Sequence, residues 1–491
     1  MATEHQTATR EGNEQQSREE REARCAELSK PCDGLGNDKK WIIDPHPLEP
    51  IESVGSLAAH LYLAAQVEMS TVPLYLYAAW SIRTKGYSQW SPGIGAFRAI
   101  LGIAIEEMLH LALVRNLIIA IGYGDKDIEI GDKHVRIKFY EKDFLPTYPG
   151  YMLHRQPPLC LGLNRLSTPL IECAFMPLEK PEKPPEEVLY SAVDHVVYKT
   201  LGEFYGAIRD GFEHLNKEMG KKLWEESHPE LQYYRGFWNQ FGGGTTLQVT
   251  NIGKARTALK IIVEQGEGAE KPTVPLNPAD PRAGWEEWSH YEKFKRIAEG
   301  IEGIGIGDGA LKNDISIDHP RATWPVISNP KIADYNHRDH YQVQSLMTLF
   351  NAAYCYVLCM LDAIYSTPAT YPNNEEGTGI IDQRYGLERS FVAAMQGLLY
   401  PIAELLVSTP TGRTEDKAKY RYKDDRGKEV QKEVPGHAGP SFEFYRFGQG
   451  KYENTSKKQE LIDLCETAMK IYPMLGGDDG VLRQIRLLTD V

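Results

Sequence analysis

Large apolar side chains recur every three to four residues along most of this chain, the period of a helix with one buried face. On that period the sequence predicts a helix from near Ile51 to about Thr84, and a second over about 93–122 that stops at Gly122-Tyr123-Gly124. A third helix covers about 187–220, a shorter one about 252–265, and another about 284–300. Three more follow at about 338–366, 384–408 and 456–474. Strict alternation about a central Gly-Asp marks DIEIGDKHVRIKFY (127–140) as a small β-hairpin. The connections are a proline-rich excursion over 143–186, an aromatic loop over 221–250, a Pro-rich loop over 268–282, a Gly-, Asp- and Pro-rich stretch over 301–333, and a charged, exposed segment near 411–436. The fold class that follows is all-α: a four-helix bundle with long loop insertions, one hairpin and additional C-terminal helices.

The apolar seams contain polar exceptions. The first helix reads Leu61, Ala65, Glu68, Val72, Tyr75, and the second Ile100, Ile103, Glu107, His110, Val114, Leu117, Ile121. The third reads Leu189, Val193, Val196, Thr200, Glu203, Ala207, and the helix after the Pro-rich loop reads Glu287, His290, Phe294, Ile297, Ile301. A carboxylate in such a seam costs several kcal/mol to desolvate unless it is paired or bound to a metal. The order is Glu, Glu-x-x-His, Glu, Glu-x-x-His. Residues i and i+3 share a helix face, so six ligands can converge inside the bundle. That is the arrangement ferritin-like carboxylate proteins use for two iron or manganese ions.

Glu264, in IVEQGEG (262–268), competes with Glu287 for the place of the fourth carboxylate, although its own seam (Thr257, Ile261) is only half apolar. Glu106 and Glu286 fall off the seams and read as solvated or outer groups, and His195 and His214 lie off the Glu203 line and read as structural histidines. The competing metal-free reading places all these groups in surface salt bridges at helix edges. There is no phosphate-binding Gly-x-x-x-x-Gly-Lys loop and no Gly-x-Ser-x-Gly elbow, and GIGIGDG (303–309) follows a helix rather than the strand a dinucleotide loop needs.

A net charge of −13 argues against nucleic acid or an anionic membrane surface as partner, since phosphate binding runs on clustered Lys and Arg. The apolar stretches 99–122 and 343–365 contain Glu106, Glu107, His110 and Arg115, and Asn351 and Asp362, which would be costly in lipid. Both read as buried helices. Seven widely spread cysteines form no Cys-x-x-Cys pair, so the reading is no disulfide framework and a reducing, cytoplasmic setting. Dense Glu, Arg and Gln at the start, with no apolar signal-peptide core, read as a loosely held tail over 1–45. The bundle then occupies 46–305 and the helical extension 306–491.

EMSTVPLYLY (68–77), EEMLHLALVRNLIIAIG (106–122), IVEQGEG (262–268), EEWSHYEKFKRI (286–297) and HAGPSFEFY (437–445) resemble the ferritin-like domain of the iminophenyl-pyruvate dimer synthase family. That family includes the enzymes that join two indolepyruvate imines on the way to violacein- and rebeccamycin-type bisindoles, which are longer than this chain. The resemblance implies a ferritin-like bundle whose metal ligands are Glu68, Glu107, His110, Glu203 and His290, completed by Glu287 or Glu264. Two iron ions, or manganese with iron, and dioxygen as co-substrate are the expected cofactors. The expected function is an oxygen-activating oxidase or oxygenase for a small aromatic or amino-acid-derived metabolite, with an imine and an external electron donor among the options. Iron handling without an organic substrate is the alternative. Tyr75, Tyr77 and Trp80 are expected to wall the pocket, with 143–186 and 437–445 as lids.

Overall fold

The computed structural model describes residues 19, 21–32, 41–43, 48–83, 95–155, 158–180, 197–233, 246–268, 288–300, 315–369, 383–424 and 426–491. Helix α1 (Val54–Trp80) opens with a capping box in which Ser53 and Ser56 bond one another's backbone N–H groups. Every residue of α1 from Leu57 to Trp80 is buried, so it is a central helix with no wet face. Helix α2 (Ala96–Ala120) is buried nearly as completely. Helix α3 (Leu201–Met219) starts at Thr200, whose side chain accepts from Glu203 N, and ends at Gly220, where a φ of +58° favours glycine. Helix α4 (Ile252–Val263) is capped by Asn251 and runs on into a π-turn, Glu264–Gly268. Helix α5 (His290–Ala298) is capped by Ser289.

Helices α1, α2, α4 and α3 close a ring in that order, each packing on the next, and α5 packs on α2 and on the π-turn that ends α4. One side of the bundle is therefore made of two pieces, separated by the insertion after the π-turn. A further helical segment, Thr168–Leu178, lies within the proline-rich excursion and packs on α5. Against the bundle lies α6 (Tyr341–Ser366), flanked by helices Gln383–Ala394, Tyr400–Ser408 and Lys457–Met469. Bundle and extension share one hydrophobic core.

The hairpin at 127–140 is present, with Ile128 opposite Val135. The charged segment near 411–436 is a second, longer hairpin, Lys417–Lys423 against Glu429–Pro435. Its first strand alternates Lys-Ala-Lys-Tyr-Arg-Tyr-Lys and buries Ala418 and Tyr420, a period-two signal beneath the charges. Two stretches, Arg338–Ser366 and Arg384–Ser408, are long and apolar enough to cross a membrane; they bury 78% and 44% of their most apolar windows within the protein.

The cysteine reading needs correction. Cys25 is bonded to Cys173 and Cys32 to Cys160, across 148 and 128 residues of sequence. Partners so far apart leave no local spacing to recognise, and the argument for a reducing setting loses its basis. Where composition leads one to expect a loose tail, residues 21–32 are helical and held by both disulfides. Tyr77 and Trp80 are packing residues rather than pocket wall, whereas Ser441, Phe442, Glu443 and Phe444 of 437–445 line a cavity and also pack on the helices beside it. Tyr77 bonds the Ile327 carbonyl, Phe442 stacks on Trp80, and Ser441 exchanges hydrogen bonds with Asn351 of α6.

Candidate metal centre

Five buried side chains from four elements converge inside the bundle. Glu68 comes from α1, Glu107 and His110 from α2, His290 from the first turn of α5, and Glu179 from the end of segment Thr168–Leu178. They form two groups of three, Glu68–Glu107–His110 and Glu107–Glu179–His290, with the potential ligand atoms of each group within 4.8 Å of one another. Glu107 belongs to both. His110 Nδ1 lies 3.5 Å from Glu68 Oε2 and 3.9 Å from Glu107 Oε1. His290 Nδ1 lies 2.8 Å from Glu107 Oε1 and 3.5 Å from Glu179 Oε2. The imidazoles stack with centroids 5.6 Å apart.

Hydroxyl groups hold the other carboxylate oxygens. Thr71 Oγ1 donates to Glu107 Oε2 at 2.7 Å, Tyr205 of α3 donates to Glu68 Oε1, and Tyr75 donates to Glu179 Oε1. The backbone leading to Glu179 is clamped by Arg155, whose guanidinium donates to the Pro177 and Leu178 carbonyls, and the same segment is tied at Cys173. Phe175 and Phe294 pack on the Tyr75 ring.

The electrostatics are those of a site short of cations. Burial and the Glu179 carboxylate, with Glu68 adding to them against the pull of His290, push Glu107 up to about 7. Although burial opposes it, His290 is held well above the ordinary imidazole range by bonds to Glu106, Glu107 and Glu179. His290 Nδ1 is fully buried and lies close to the Glu107 and Glu179 oxygens without an aligned hydrogen bond, a placement that suits a shared cation better than a direct bond. Three carboxylates, one of them shared between the two groups, and two inward-facing Nδ1 atoms are a donor set that fits two divalent first-row transition metals.

The structure brings together Glu68, Glu107, His110 and His290 of the sequence-derived set. It leaves Glu203 outside. The helix starts at Leu201 instead of near 187, so Glu203 sits in the first turn, where its Oε2 accepts from Lys199 N at 2.8 Å. Tyr205, two residues on, reaches the cluster instead. Glu264 is also apart, 56% exposed and 3.5 Å from Lys260. Glu287, Glu286 and His195 lie outside the described residues. His214 is exposed beside Glu218. Glu106 is not solvated: it is 1% exposed and bonds Lys293 and His290. Burial raises its pKa, but the Lys293 charge and the His290 bond outweigh that and bring it to about 2.

Glu179 is the residue that sequence reasoning missed. Its signal was the spacing Ile171, Phe175, Leu178, an apolar helical stripe ending beside a carboxylate, obscured by the surrounding prolines. A separate cavity of about 740 Å³, lined by Tyr62 and Gln66 among others, opens on the face of α1 opposite Glu68.

Residues 61–299 match the Ferritin-like family model. Dichlorochromopyrrolate synthase of Lentzea aerocolonigenes is 26% identical over 404 residues, which is 74% of this chain and 35% of that protein. The 2-imino-3-(indol-3-yl)propanoate dimerase of Chromobacterium violaceum is 23% identical over 401 residues, 75% of this chain and 34% of that protein. The chain thus spans about a third of the length of the curated relatives it matches. A solved ferritin-like protein from Caulobacter vibrioides is 21% identical, covering 64% of this chain and 88% of its own, with a TM-score of 0.40.

Proposed function

We propose that the ferritin-like domain of this chain binds two divalent metal ions, iron or an iron–manganese pair, and serves as an oxygen-dependent oxidase for a small aromatic or amino-acid-derived metabolite, with a 2-imino acid as the favoured substrate class. The observation that carries this reading is Glu107, shared between two three-donor groups that each contain one histidine. Glu68 and His110 would complete one ion's protein ligands, and Glu179 and His290 the other's. Bound iron supplies the one chemistry the side chains lack, transfer of electrons to dioxygen.

The residues around the cluster have roles of their own. Thr71, Tyr75 and Tyr205 fix one oxygen of each carboxylate, which leaves the opposite oxygens turned toward the centre. Phe175, Phe294 and the Tyr75 ring exclude water on one side. The three carboxylates bring one negative charge fewer than two divalent ions require for neutrality, which favours an anionic substrate group such as a carboxylate. The names of the two curated relatives, a synthase and an imine dimerase of indole chemistry, support the substrate class.

The test is metal analysis of the purified protein, followed by oxygen consumption by the iron-loaded form against aromatic amino acids and their imines. Two ions per chain and uptake stimulated by one substrate class are expected. Two ions with oxygen uptake indifferent to every organic compound would replace the oxidase reading with iron handling. No bound metal would remove both.

A further inference from the structure

The two imidazoles of the cluster are held from behind by different partners. His290 turns Nδ1 toward Glu107 and Glu179 and places Nε2 3.0 Å from Glu106 Oε2. His110 turns Nδ1 toward Glu68 and Glu107 and places Nε2 3.0 Å from Gln265 Oε1, in the π-turn after α4. Lys293, one turn beyond His290 on α5, bonds the same Glu106 oxygen that His290 does. Glu106, Lys293 and His290 are 1%, 1% and 0% exposed, so no water weakens these contacts. A carboxylate accepts a stronger hydrogen bond than an amide oxygen and makes the far nitrogen of the ring a better donor to a metal.

We infer that Glu106 and Lys293 are a positioning pair that holds His290 as its Nε2–H tautomer and makes Glu107–Glu179–His290 the tighter of two unequal metal sites, with Glu68–Glu107–His110 the weaker. The inference rests on the dinuclear reading above. Lys293 has a distinct part: it neutralises Glu106, so that this carboxylate backs His290 instead of turning inward as another anionic ligand. Adjacent residues on a helix point about 100° apart, so Glu106 faces α5 while Glu107 faces the centre. Neighbouring glutamates thereby take different work. On the other side, the neutral Gln265 orients His110 without adding charge.

Cobalt(II) is the probe. Titration of the metal-free protein is expected to show two resolved uptake steps, and the proton NMR spectrum of the loaded protein two exchangeable, paramagnetically shifted imidazole N–H signals. Glu106→Gln should weaken the first step by roughly ten- to a hundredfold, leave the second in place, and displace only one N–H signal. A pair that merely fastened α5 to α2 would change stability and move neither signal, and that result overturns the inference. So would an equal weakening of both steps. If Glu106→Gln does not fold, the charge-neutral double variant Glu106→Gln/Lys293→Met takes its place. Gln265→Glu supplies the converse, tightening the second step toward the first. Failure of the wild-type protein to take up two cobalt ions would instead refute the dinuclear reading itself.

Discussion

The phenol of Tyr205 donates a hydrogen bond to Oε1 of Glu68, linking α3 to α1 at the point where the apolar seam of α3 would otherwise have supplied a carboxylate. Glu203, two residues earlier, faces the start of its own helix. Tyr205 therefore belongs to the centre and Glu203 to the helix cap, which makes opposite predictions for their removal. Tyr205→Phe strips a donor from a buried carboxylate and should lower the stability of the metal-free protein by about 1.5–3 kcal/mol. Glu203→Ala should cost about 1 kcal/mol or less and leave metal stoichiometry unchanged. Urea unfolding and metal analysis of both variants decide the matter.

Glu179 should be a ligand and Glu264 should not. Glu179→Ala removes one member of the Glu107–Glu179–His290 group and is expected to reduce bound metal from two ions to one. Glu264→Ala acts on a carboxylate that is 56% exposed and should leave both ions in place. Equal metal content in the two variants would contradict the assignment.

His60 predicts a pH dependence of stability. It is fully buried, its Nδ1 lies 2.8 Å from the Ser56 carbonyl, and its Nε2 lies 2.7 Å from the Tyr198 hydroxyl, so the neutral ring is fully bonded. Burial lowers its pKa from 6.5 to about 4, with the Ser56 bond opposing. The unfolded chain takes up this proton on acidification before the folded one does. The contribution is therefore complete above about pH 6.5 and is lost progressively as pH falls toward 4, by about 3 kcal/mol in all. His60→Gln should flatten the urea midpoint across that window relative to the wild-type protein.

Both disulfides tie the helical segment 21–32 to the excursion that carries Glu179. The outer one closes a loop of well over a hundred residues, for which the chain-entropy estimate is about 5 kcal/mol, and the inner one, nested within it, adds less. A phosphine reductant should therefore lower the midpoint of thermal unfolding. It should also weaken binding of the ion next to Glu179 more than that of the ion next to Glu68, measured as the fraction of cobalt lost from each spectroscopic site.

Local periodicity by itself determined the long helices, the all-α class and four of the five side chains that converge inside the bundle. Glu68, Glu107, His110 and His290 interrupt apolar seams, and a polar interruption of a buried stripe is visible wherever the helix is regular. Tertiary structure alone decided where α3 begins, and that start turns Glu203 into a cap and brings Tyr205 inward. It also decided the use of Glu179, because a short helical piece among prolines has no independent stability and exists only packed on α5. The disulfide pairs and the partnership of Glu106 with Lys293 were likewise invisible, since each joins residues more than a hundred positions apart. Helical spacing reports which residues share a face, whereas which faces meet is set by packing, and the carboxylate–histidine cluster lies where four separate elements meet.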